Sequence, residues 1–280
     1  MYLSASSGAL RNSRLSLNGS GHVGFVTEDS RVSRRIEALA TIAGYGVTQV
    51  GKTLRGNGSA VAQLHNLAWF ESSSKKLPTV SLEDLFPGSA SLSIRLERSL
   101  PRATGNLTMD ELAVMALICQ WLKPSSVFEF GTFNGRTTLN LAANTPADAR
   151  IYTLDLPDAG ETEFDVERGD SDLHLEERSG NHFRDTAFSS KIEQLWCDSA
   201  RFDETNLRGK VDLVFVDGAH SFDYVRSDTT KALAMLRPGG VILWHDYCAW
   251  YPGVFEYLHE LLPSYPLKHI EATHFAVLCG

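Results

Sequence analysis

The stretch from residue 127 to residue 138 constrains the fold more than any other part of the sequence. It reads Val-Phe-Glu-Phe-Gly-Thr-Phe-Asn-Gly-Arg-Thr-Thr. The apolar run at 127–130 is typical of a strand that is buried on both faces, and a helix-compatible run follows at 137–143. Gly131 and Gly135 lack a Cβ, so the backbone can approach a ligand closely, and the helix directs its free N–H groups into the same space. The pattern predicts a strand, a glycine turn and a helix that together hold a small ligand.

The segments after this turn alternate between strand and helix patterns, which indicates an α/β fold with a wound, Rossmann-like sheet. A capping box at Thr108 and Glu111 begins a helix that ends before Pro124. Together with the strand at 127–130, the predicted strands make a seven-stranded sheet whose last two members form a hairpin. The further predicted strands are 151–154, 192–196, 211–216, 241–244, 267–270 and 274–279, and the further helices are 224–236 and 254–262.

The N-terminal third differs in composition from the rest. Residues 1–20 are rich in Ser, Asn and Gly and predict a flexible tail. Residues 21–104 predict a small appendage and a connector. Within the appendage a strand at 22–27, a helix at 32–43 and a strand at 47–50 form one βαβ unit. Residues 105–280 are then the main domain.

The appendage also carries a short family resemblance. The phrases Ser30-Arg31-Val32, Arg34-Arg35 and Gly44-Tyr45-Gly46-Val47-Thr48 resemble the opening βαβ of family-4-type glycosyltransferases. That resemblance covers about thirty residues, and no second nucleotide-sugar domain follows in the sequence. We therefore do not transfer the activity.

Polar residues follow each predicted strand of the main domain, at the sheet edge where ligands bind in open α/β folds. Asp155 can accept hydrogen bonds from both hydroxyls of a ribose. Asp198 and Ser199 follow the next strand. Each of these residues is equally typical of a helix cap or a turn, but several in register with a glycine turn favour a ligand site.

The segments Asp217-Gly218-Ala219-His220 and Trp244-His245-Asp246-Tyr247 give the strongest chemical signal. Asp217 and Asp246 end strands that should be neighbours, so their carboxylates can converge. Two convergent carboxylates repel each other unless a cation or a shared proton lies between them. The pattern predicts a divalent metal, although His220 and His245 could instead bond only to loop backbone.

The spacing Glu-x-Gly-x-x-x-Gly at 129–135 resembles motif I of the class I methyltransferases, and residues 105–278 resemble their methyltransferase-24 subfamily. The resemblance implies S-adenosylmethionine as cofactor, with Glu129 beside its methionine end, Asp155 on the ribose, and Asp198 or Ser199 at the adenine amino group. The cofactor-binding residues that it implies are Glu129, Gly131, Thr132, Gly135, Thr137, Asp155, Asp198, Ser199 and Asp217.

The second pair of motifs also resembles the metal-dependent O-methyltransferases. The resemblance implies that Asp217, His245 and Asp246 bind the metal and that His220 removes the acceptor's proton. Since His245 stands where that family has a carboxylate, Mn, Fe and Zn compete with Mg. The implied reaction is O-methylation of a small hydroxylated acceptor, such as a sugar or a secondary metabolite. Two alternatives are a metal-dependent hydroxylase on the same fold and a non-catalytic cofactor-binding subunit.

Composition excludes several other classes of partner. A net charge of −8 argues against nucleic acid and anionic membranes as partners. The sequence predicts free, mostly buried cysteines, and it shows no signal peptide and no membrane span, so we expect a cytoplasmic protein. It leaves open whether the chain forms a homo-oligomer.

Two expectations concern the surroundings of the site. Between residues 158 and 178 the chain has nine acidic residues and two arginines, which favours a solvated loop over a substrate lid. Trp244, Tyr247, Trp250 and Tyr251 are expected to wall the acceptor pocket.

Overall fold

The computed structural model describes residues 14–17, 23–26, 70, 76–98, 105–157, 161–166 and 179–280. The chain divides into two compact units, Met1–Ala68 and Trp69–Gly280. In the first unit, strand β1 (Arg14–Leu17) pairs antiparallel with β2 (Val23–Val26). β2 coincides with the predicted first strand of the appendage, whereas β1 falls where the sequence predicted a flexible tail, because ladder pairing does not show in composition. The predicted helix at 32–43 and strand at 47–50 lie outside the described residues.

The second unit is built on one mixed sheet of eight strands in the order β3-β9-β10-β8-β7-β4-β5-β6. β4, β5, β6, β7 and β8 run parallel, while β10 pairs antiparallel with both β8 and β9. The predicted α/β class and Rossmann-like sheet are therefore confirmed. The strands are β3 (Thr79–Val80), β4 (Ser126–Phe130), β5 (Arg150–Asp155), β6 (Ile192–Trp196), β7 (Val211–Val216), β8 (Leu236–Trp244), β9 (Lys268–Ile270) and β10 (Ala276–Cys279).

Five helices accompany the sheet in the described part of the second unit. They are α1 (Leu82–Leu85), α2 (Met109–Leu122), α3 (Arg136–Ala143), α4 (Phe222–Met235) and α5 (Pro252–Leu261). Helix α2 begins with the predicted capping box, in which the Thr108 side chain accepts from the Glu111 amide and the Glu111 side chain accepts from the Thr108 amide. None of these helices is long and apolar enough to cross a membrane.

The eighth strand comes from the segment that the sequence predicted to be a connector. β3 pairs in parallel with β9 and so extends the sheet at that edge. Leu77 and Phe86, on either side of β3, are buried in the core. The predicted start of the main domain at residue 105 stays a prediction, while the compact unit of the structure begins at Trp69.

The core lies on both faces of the sheet, because alternate residues of the central strands point to opposite sides. Phe128 and Val214 pack with α4 and α5 on one face. Val127 and Phe215 pack with α2 and α3 on the other face. All six residues of β7 are buried. This double burial fixes the register of β4 and β7, and with it the positions of the residues that follow each strand.

Residues 237–240 lie between the predicted helix at 224–236 and the predicted strand at 241–244, and they form the first half of β8. β8 pairs with β7 from Leu236 onward, with a register irregularity between Val211 and Leu213. Gly239 has a φ of 78° and allows the backbone to bend there. The Pro-Gly-Gly run is therefore a bulge within the strand.

Candidate active site

A cavity of about 390 Å³ opens at the carboxyl ends of the central parallel strands. This volume lies within the range of small-molecule pockets. The residues with predicted roles that line it are Gly131, Thr132, Thr137, Asp155, Asp198, Ser199, Asp217, His220 and Asp246. Three others, Glu129, Gly135 and His245, lie behind this lining. The structure therefore brings most of the predicted site residues to one cavity.

The glycines of the turn are required by packing within the protein. Gly131 has a φ of 87°, and a Cβ there would collide with the carbonyl oxygen of Asp217. Gly135 has a φ of 81°, and a Cβ there would lie 2.6 Å from the ring of Phe183 and 3.0 Å from Cα of Gly180. The sequence attributed both glycines to close approach of a ligand. In the structure, neighbouring strand and loop atoms occupy that space instead.

Residues 179–183 pack against the glycine turn from outside. The amide of Gly180 donates to the carbonyl of Phe133, and the amide of His182 donates to the carbonyl of Asn134, each at 2.8 Å. The hydroxyl of Ser179 donates to the Asp155 carboxylate. Residues 179–183 directly follow the acidic loop, residues 158–178, and these bonds hold them against the glycine turn.

Glu129 is fully buried at the end of β4. Its Oε2 accepts from the hydroxyls of Thr138 and Thr153, the latter at 2.6 Å, while its Oε1 has no hydrogen-bond partner. Burial raises the pKa of this carboxyl to about 8. The threonine of the turn, Thr132, bonds to Thr153 at 2.7 Å. Glu129 thus supports the turn from below.

Asp198 already has protein partners for both of its oxygens. Oδ1 accepts from the amide of Ala200 and the hydroxyl of Tyr224, each at 3.0 Å. Oδ2 accepts from the amide of Glu163 at 2.7 Å. The described part of the acidic loop, residues 161–166, thus docks on this acid.

The same segment contributes to the cavity wall. Thr162 and Val166 line the cavity, and Phe164 packs edge-on against Tyr224 with ring centroids 5.3 Å apart. The acidic residues of this segment are exposed, as the solvated-loop interpretation predicts, while the residues between them and one backbone amide contact the site.

Two histidines and two aspartates converge beyond β7 and β8. His220 Nε2 lies 2.8 Å from Asp246 Oδ2. His245 Nδ1 lies 3.0 Å from Asp217 Oδ1 and 3.2 Å from Asp246 Oδ2. Ligand atoms of Asp217, His220 and Asp246 all lie within 4.8 Å of one another, which suits a metal ion. Asp246 also has a φ of 57°, a conformation that non-glycine residues seldom adopt outside functional sites.

The charges of this group are strongly interdependent. Burial raises the pKa of Asp217. Burial alone would lower the pKa of His245, but the carboxylates of Asp217 and Asp246 outweigh it and raise that pKa well above its ordinary value. Burial would likewise raise the pKa of Asp246, yet His245 and His220 hold it below its ordinary range. The aspartates therefore depend on positive charge beside them.

Comparison with known proteins agrees with this geometry. Residues 128–247 match a family model described as a methyltransferase domain. This segment therefore resembles a methyltransferase domain. The match begins within β4 and ends at Tyr247, just after His245 and Asp246. No curated protein matches the chain by sequence.

Several solved structures resemble the chain at low identity. The O-methyltransferase TomG from Streptomyces achromogenes, solved in complex with SAM, is 17% identical over 70% of this chain and 96% of its own, with a TM-score of 0.47. The SAH-bound methyltransferase PaMTH1 from Podospora anserina is 15% identical over 79% and 94%, with a TM-score of 0.47. An O-methyltransferase from Bacillus cereus, in complex with SAH, is 16% identical over 71% and 90%, with a TM-score of 0.46. We base the function proposed below on the family match and on this chain's own residues.

The aromatic residues beside the cavity divide into core and wall. Trp244 is fully buried and its Nε1 donates to Thr229 Oγ1 at 2.8 Å. The hydroxyl of Tyr247 accepts from the amide of Leu77 at 2.9 Å. Of the four aromatics expected to wall the pocket, Tyr251 lines the cavity, where it stacks on His220 at 4.0 Å between ring centroids. Trp244 and Tyr247 are buried in the core and do not line the cavity, and Trp250 is exposed and does not line it either.

Sequence reasoning missed several residues of the candidate site. Asn134 lines the cavity and is buried, and its Nδ2 has no hydrogen-bond partner although its Oδ1 accepts from the amide of Arg136. Its place between the two glycines of the turn was the available signal. Glu111 and His274 also reach His245, from α2 and from the loop before β10. The sequence marks Glu111 only as part of the capping box and does not mark His274, because their contacts with His245 join segments that are distant in sequence.

Proposed function

We propose that this protein transfers the methyl group of S-adenosylmethionine to a hydroxyl oxygen of a small polar acceptor. The observation that carries the proposal is the position of the methyltransferase match. It contains both the glycine turn and the group of histidines and aspartates, and both face the same cavity. A cofactor site and a site for proton chemistry therefore lie side by side, as methyl transfer to oxygen requires.

The cofactor would occupy the side of the cavity formed by the glycine turn, β5 and β6. Asp155 lies at the end of β5, where its carboxylate would accept from the ribose hydroxyls. Its Oδ1 accepts from the amide of Leu156 at 3.1 Å, which fixes the side chain at the cavity wall. Asn134 adds a buried amide donor on the same side. These groups support binding of a polar nucleoside with an amino-acid end.

The acceptor would lie on the side formed by His220, Asp246 and Tyr251. His220 would take the proton of the acceptor hydroxyl, and Asp246, at 2.8 Å from its Nε2, would stabilise the resulting imidazolium. Tyr251 stacks on the imidazole and holds its plane. The acceptor oxygen would thereby become a better nucleophile toward the sulfonium methyl.

The residues of this side also fit a divalent cation. The two carboxylates of Asp217 and Asp246 are only partly exposed and converge, and a cation would offset their repulsion. Asp217 and Asp246 would hold it, with His245 as the predicted third ligand. When bound, such an ion would polarise the acceptor oxygen and lower the pKa of its hydroxyl. Mg, Mn, Fe and Zn are all compatible with mixed carboxylate and imidazole donors.

Calorimetric titration with S-adenosylmethionine tests the cofactor, and conversion to S-adenosylhomocysteine with a panel of hydroxylated acceptors tests the reaction. Each acceptor is assayed as purified, after EDTA, and after EDTA with added Mg²⁺ or Mn²⁺. We expect cofactor binding and acceptor-dependent turnover that persists without dioxygen. Absence of cofactor binding would overturn the proposal. Binding without turnover on any acceptor would favour the non-catalytic subunit, and dependence on dioxygen would favour the hydroxylase.

A further inference from the structure

A second cluster of metal-ligand side chains lies on the far side of His245. It consists of Glu111, His245 and His274, whose ligand atoms all lie within 4.8 Å of one another. Glu111 is in the first turn of α2, His245 follows β8, and His274 lies just before β10. The cluster thus joins three separate elements of the chain.

The imidazole nitrogens of this cluster lie farther from Glu111 Oε1 than hydrogen-bonded nitrogens do, while the same oxygen accepts from the backbone amide of His274 at 2.9 Å. His245 Nε2 lies 3.5 Å from Glu111 Oε1, and His274 Nδ1 lies 3.4 Å from the same oxygen. Good N–H···O bonds have separations of about 2.7–3.2 Å. Donors bound at about 2.1 Å around a tetrahedral cation lie roughly 3.4 Å apart. Both separations fit ligands around a shared ion better than they fit direct hydrogen bonds.

The ring of His245 is held as a metal-binding histidine is held. Its Nε2 is buried and has no hydrogen-bond partner, and the side chain is only 9% exposed. Its Nδ1 lies 3.0 Å from Asp217 Oδ1. Histidine ligands commonly donate their other ring N–H to a carboxylate, which fixes the tautomer. A cation that binds at Nε2 would displace the proton there, while the proton on Nδ1 stays in the contact with Asp217, and the freed lone pair of Nε2 would then face Glu111 and His274.

We propose that Glu111, His245 and His274 form a binding site for a transition-metal ion such as Zn²⁺. Two imidazole nitrogens and one carboxylate oxygen are a donor set typical of zinc and of non-haem iron. The side chain of His274 is 48% exposed, which gives the ion a route from solvent and leaves room for a water ligand. In this assignment His245 is a ligand of the second ion and not of the cation proposed between Asp217 and Asp246. It stands whether or not the chain transfers methyl groups.

Titration of the metal-free, full-length protein with Co²⁺ in excess Mg²⁺ tests the site. Magnesium competes for the two carboxylates of Asp217 and Asp246, so Co²⁺ reports mainly on the cluster with two imidazoles and one carboxylate. We expect one Co²⁺ per chain with the visible absorption of low-coordinate cobalt. His274→Ala and Glu111→Gln should each weaken binding by roughly 100-fold or more, since each removes a ligand. Zn²⁺ should raise the melting temperature of the wild type and not that of His274→Ala.

Three further variants make the result specific. His182→Ala removes a histidine outside every metal-capable group of the described residues and should bind Co²⁺ as the wild type does. Cys248→Ala should also retain binding, although Cys248 lies near His274. Asp217→Asn keeps an oxygen acceptor for His245 Nδ1–H and should weaken Co²⁺ binding by tenfold at most. The site would be refuted if His274→Ala bound Co²⁺ normally, or if Asp217→Asn alone abolished binding and so placed His245 in the other ligand set.

Discussion

The two sides of the cavity are stabilised by different forces. The side formed by the glycine turn is held by backbone hydrogen bonds and by tight packing, with Gly131 against the Asp217 backbone and Gly135 against Phe183. The opposite side is a compact group of ionisable residues, in which His220 and His245 contact Asp217 and Asp246. Substitutions that add atoms should disrupt the packed side, whereas substitutions that change side-chain charge should disrupt the side with the ionisable residues. Substitutions on the two sides should therefore fail in different assays.

Removal of the His220 imidazole, on the charged side of the cavity, should have the largest effect on turnover. His220→Ala is expected to lower turnover by roughly 10²–10⁴ at neutral pH, because the base acts only in the reaction. S-Adenosylmethionine affinity should stay nearly unchanged. Initial-rate assays and calorimetric titration of the same preparation measure both quantities. Normal turnover, or a defect confined to cofactor affinity, would erase the distinction between the two sides.

A graded series of glycine substitutions probes the packed side. Gly131→Ala should destabilise the protein by roughly 3 kcal/mol or more, because the Asp217 backbone cannot move aside. Gly135→Ala should cost less, since the Phe183 ring can shift. Gly239→Ala is the matched control. It has a similar positive φ of 78° with open space around the added Cβ, and should cost about 1 kcal/mol. Urea unfolding gives the three values, and equal losses would mean that backbone strain alone matters.

Loss of a single charge on the cofactor side should weaken binding without stopping the reaction. Asp155→Asn keeps the shape of the side chain and removes the negative charge that would face the ribose hydroxyls. Hydrogen bonds to charged groups contribute about 1.5–3 kcal/mol, so cofactor affinity should fall by roughly tenfold to a hundredfold. Turnover at saturating cofactor should change little. If turnover fell and affinity did not, Asp155 would act in the reaction.

Buried Glu129 should make the stability of the ligand-free protein depend on pH. Burial raises its pKa to about 8 in the folded state, above the unfolded value of 4.5. The folded protein therefore holds a proton that the unfolded chain releases, and stability falls as the pH rises from about 4.5 through about 8. Glu129→Gln should remove roughly 2 kcal/mol of the loss between about pH 6 and pH 8. Parallel pH profiles for the two proteins would show that the carboxyl ionises normally.

The smallest effect is expected where the charged side meets its aromatic wall. Tyr251→Phe keeps the ring that stacks on His220, so turnover should stay within about twofold. Tyr251→Ala removes a stacking contact of about 1 kcal/mol and should lower turnover by roughly fivefold. Steady-state rates of the two variants distinguish a role of the Tyr251 ring from a role of its hydroxyl. Equal effects of both substitutions would point to the hydroxyl rather than to the ring.

The sequence predicts the sheet well because double burial leaves a local signature. β4 and β7 are apolar along their length, and the capping box that starts α2 is visible in four residues. The same logic places Asp155, Asp217, His220 and Asp246 at one edge. β3 escaped prediction because a two-residue strand has no periodicity to detect, and it is recognised only through its pairing with β9.

The site itself could be predicted only in part. The residues that follow each strand can be identified from local sequence, and this led to the prediction of Asp217 and His220 as site residues. What each of them contacts depends on distant segments. The amide of Glu163 contacts Asp198, and the carboxylate of Glu111 lies beside His245, only because the fold brings distant segments together. The reason for the glycines was equally hidden, since Gly135 meets Phe183, which lies far along the chain.

The docking of residue 163 on Asp198 has a consequence for how a nucleoside would be selected. The Glu163 amide already donates to Asp198 Oδ2 at 2.7 Å, and Oδ1 already accepts two hydrogen bonds. An adenine amino group could therefore reach only the remaining lone pair of Oδ2. One such bond contributes little net affinity. The base would be chosen mainly by the shape and apolar surface of the wall that Val166 and Tyr224 provide.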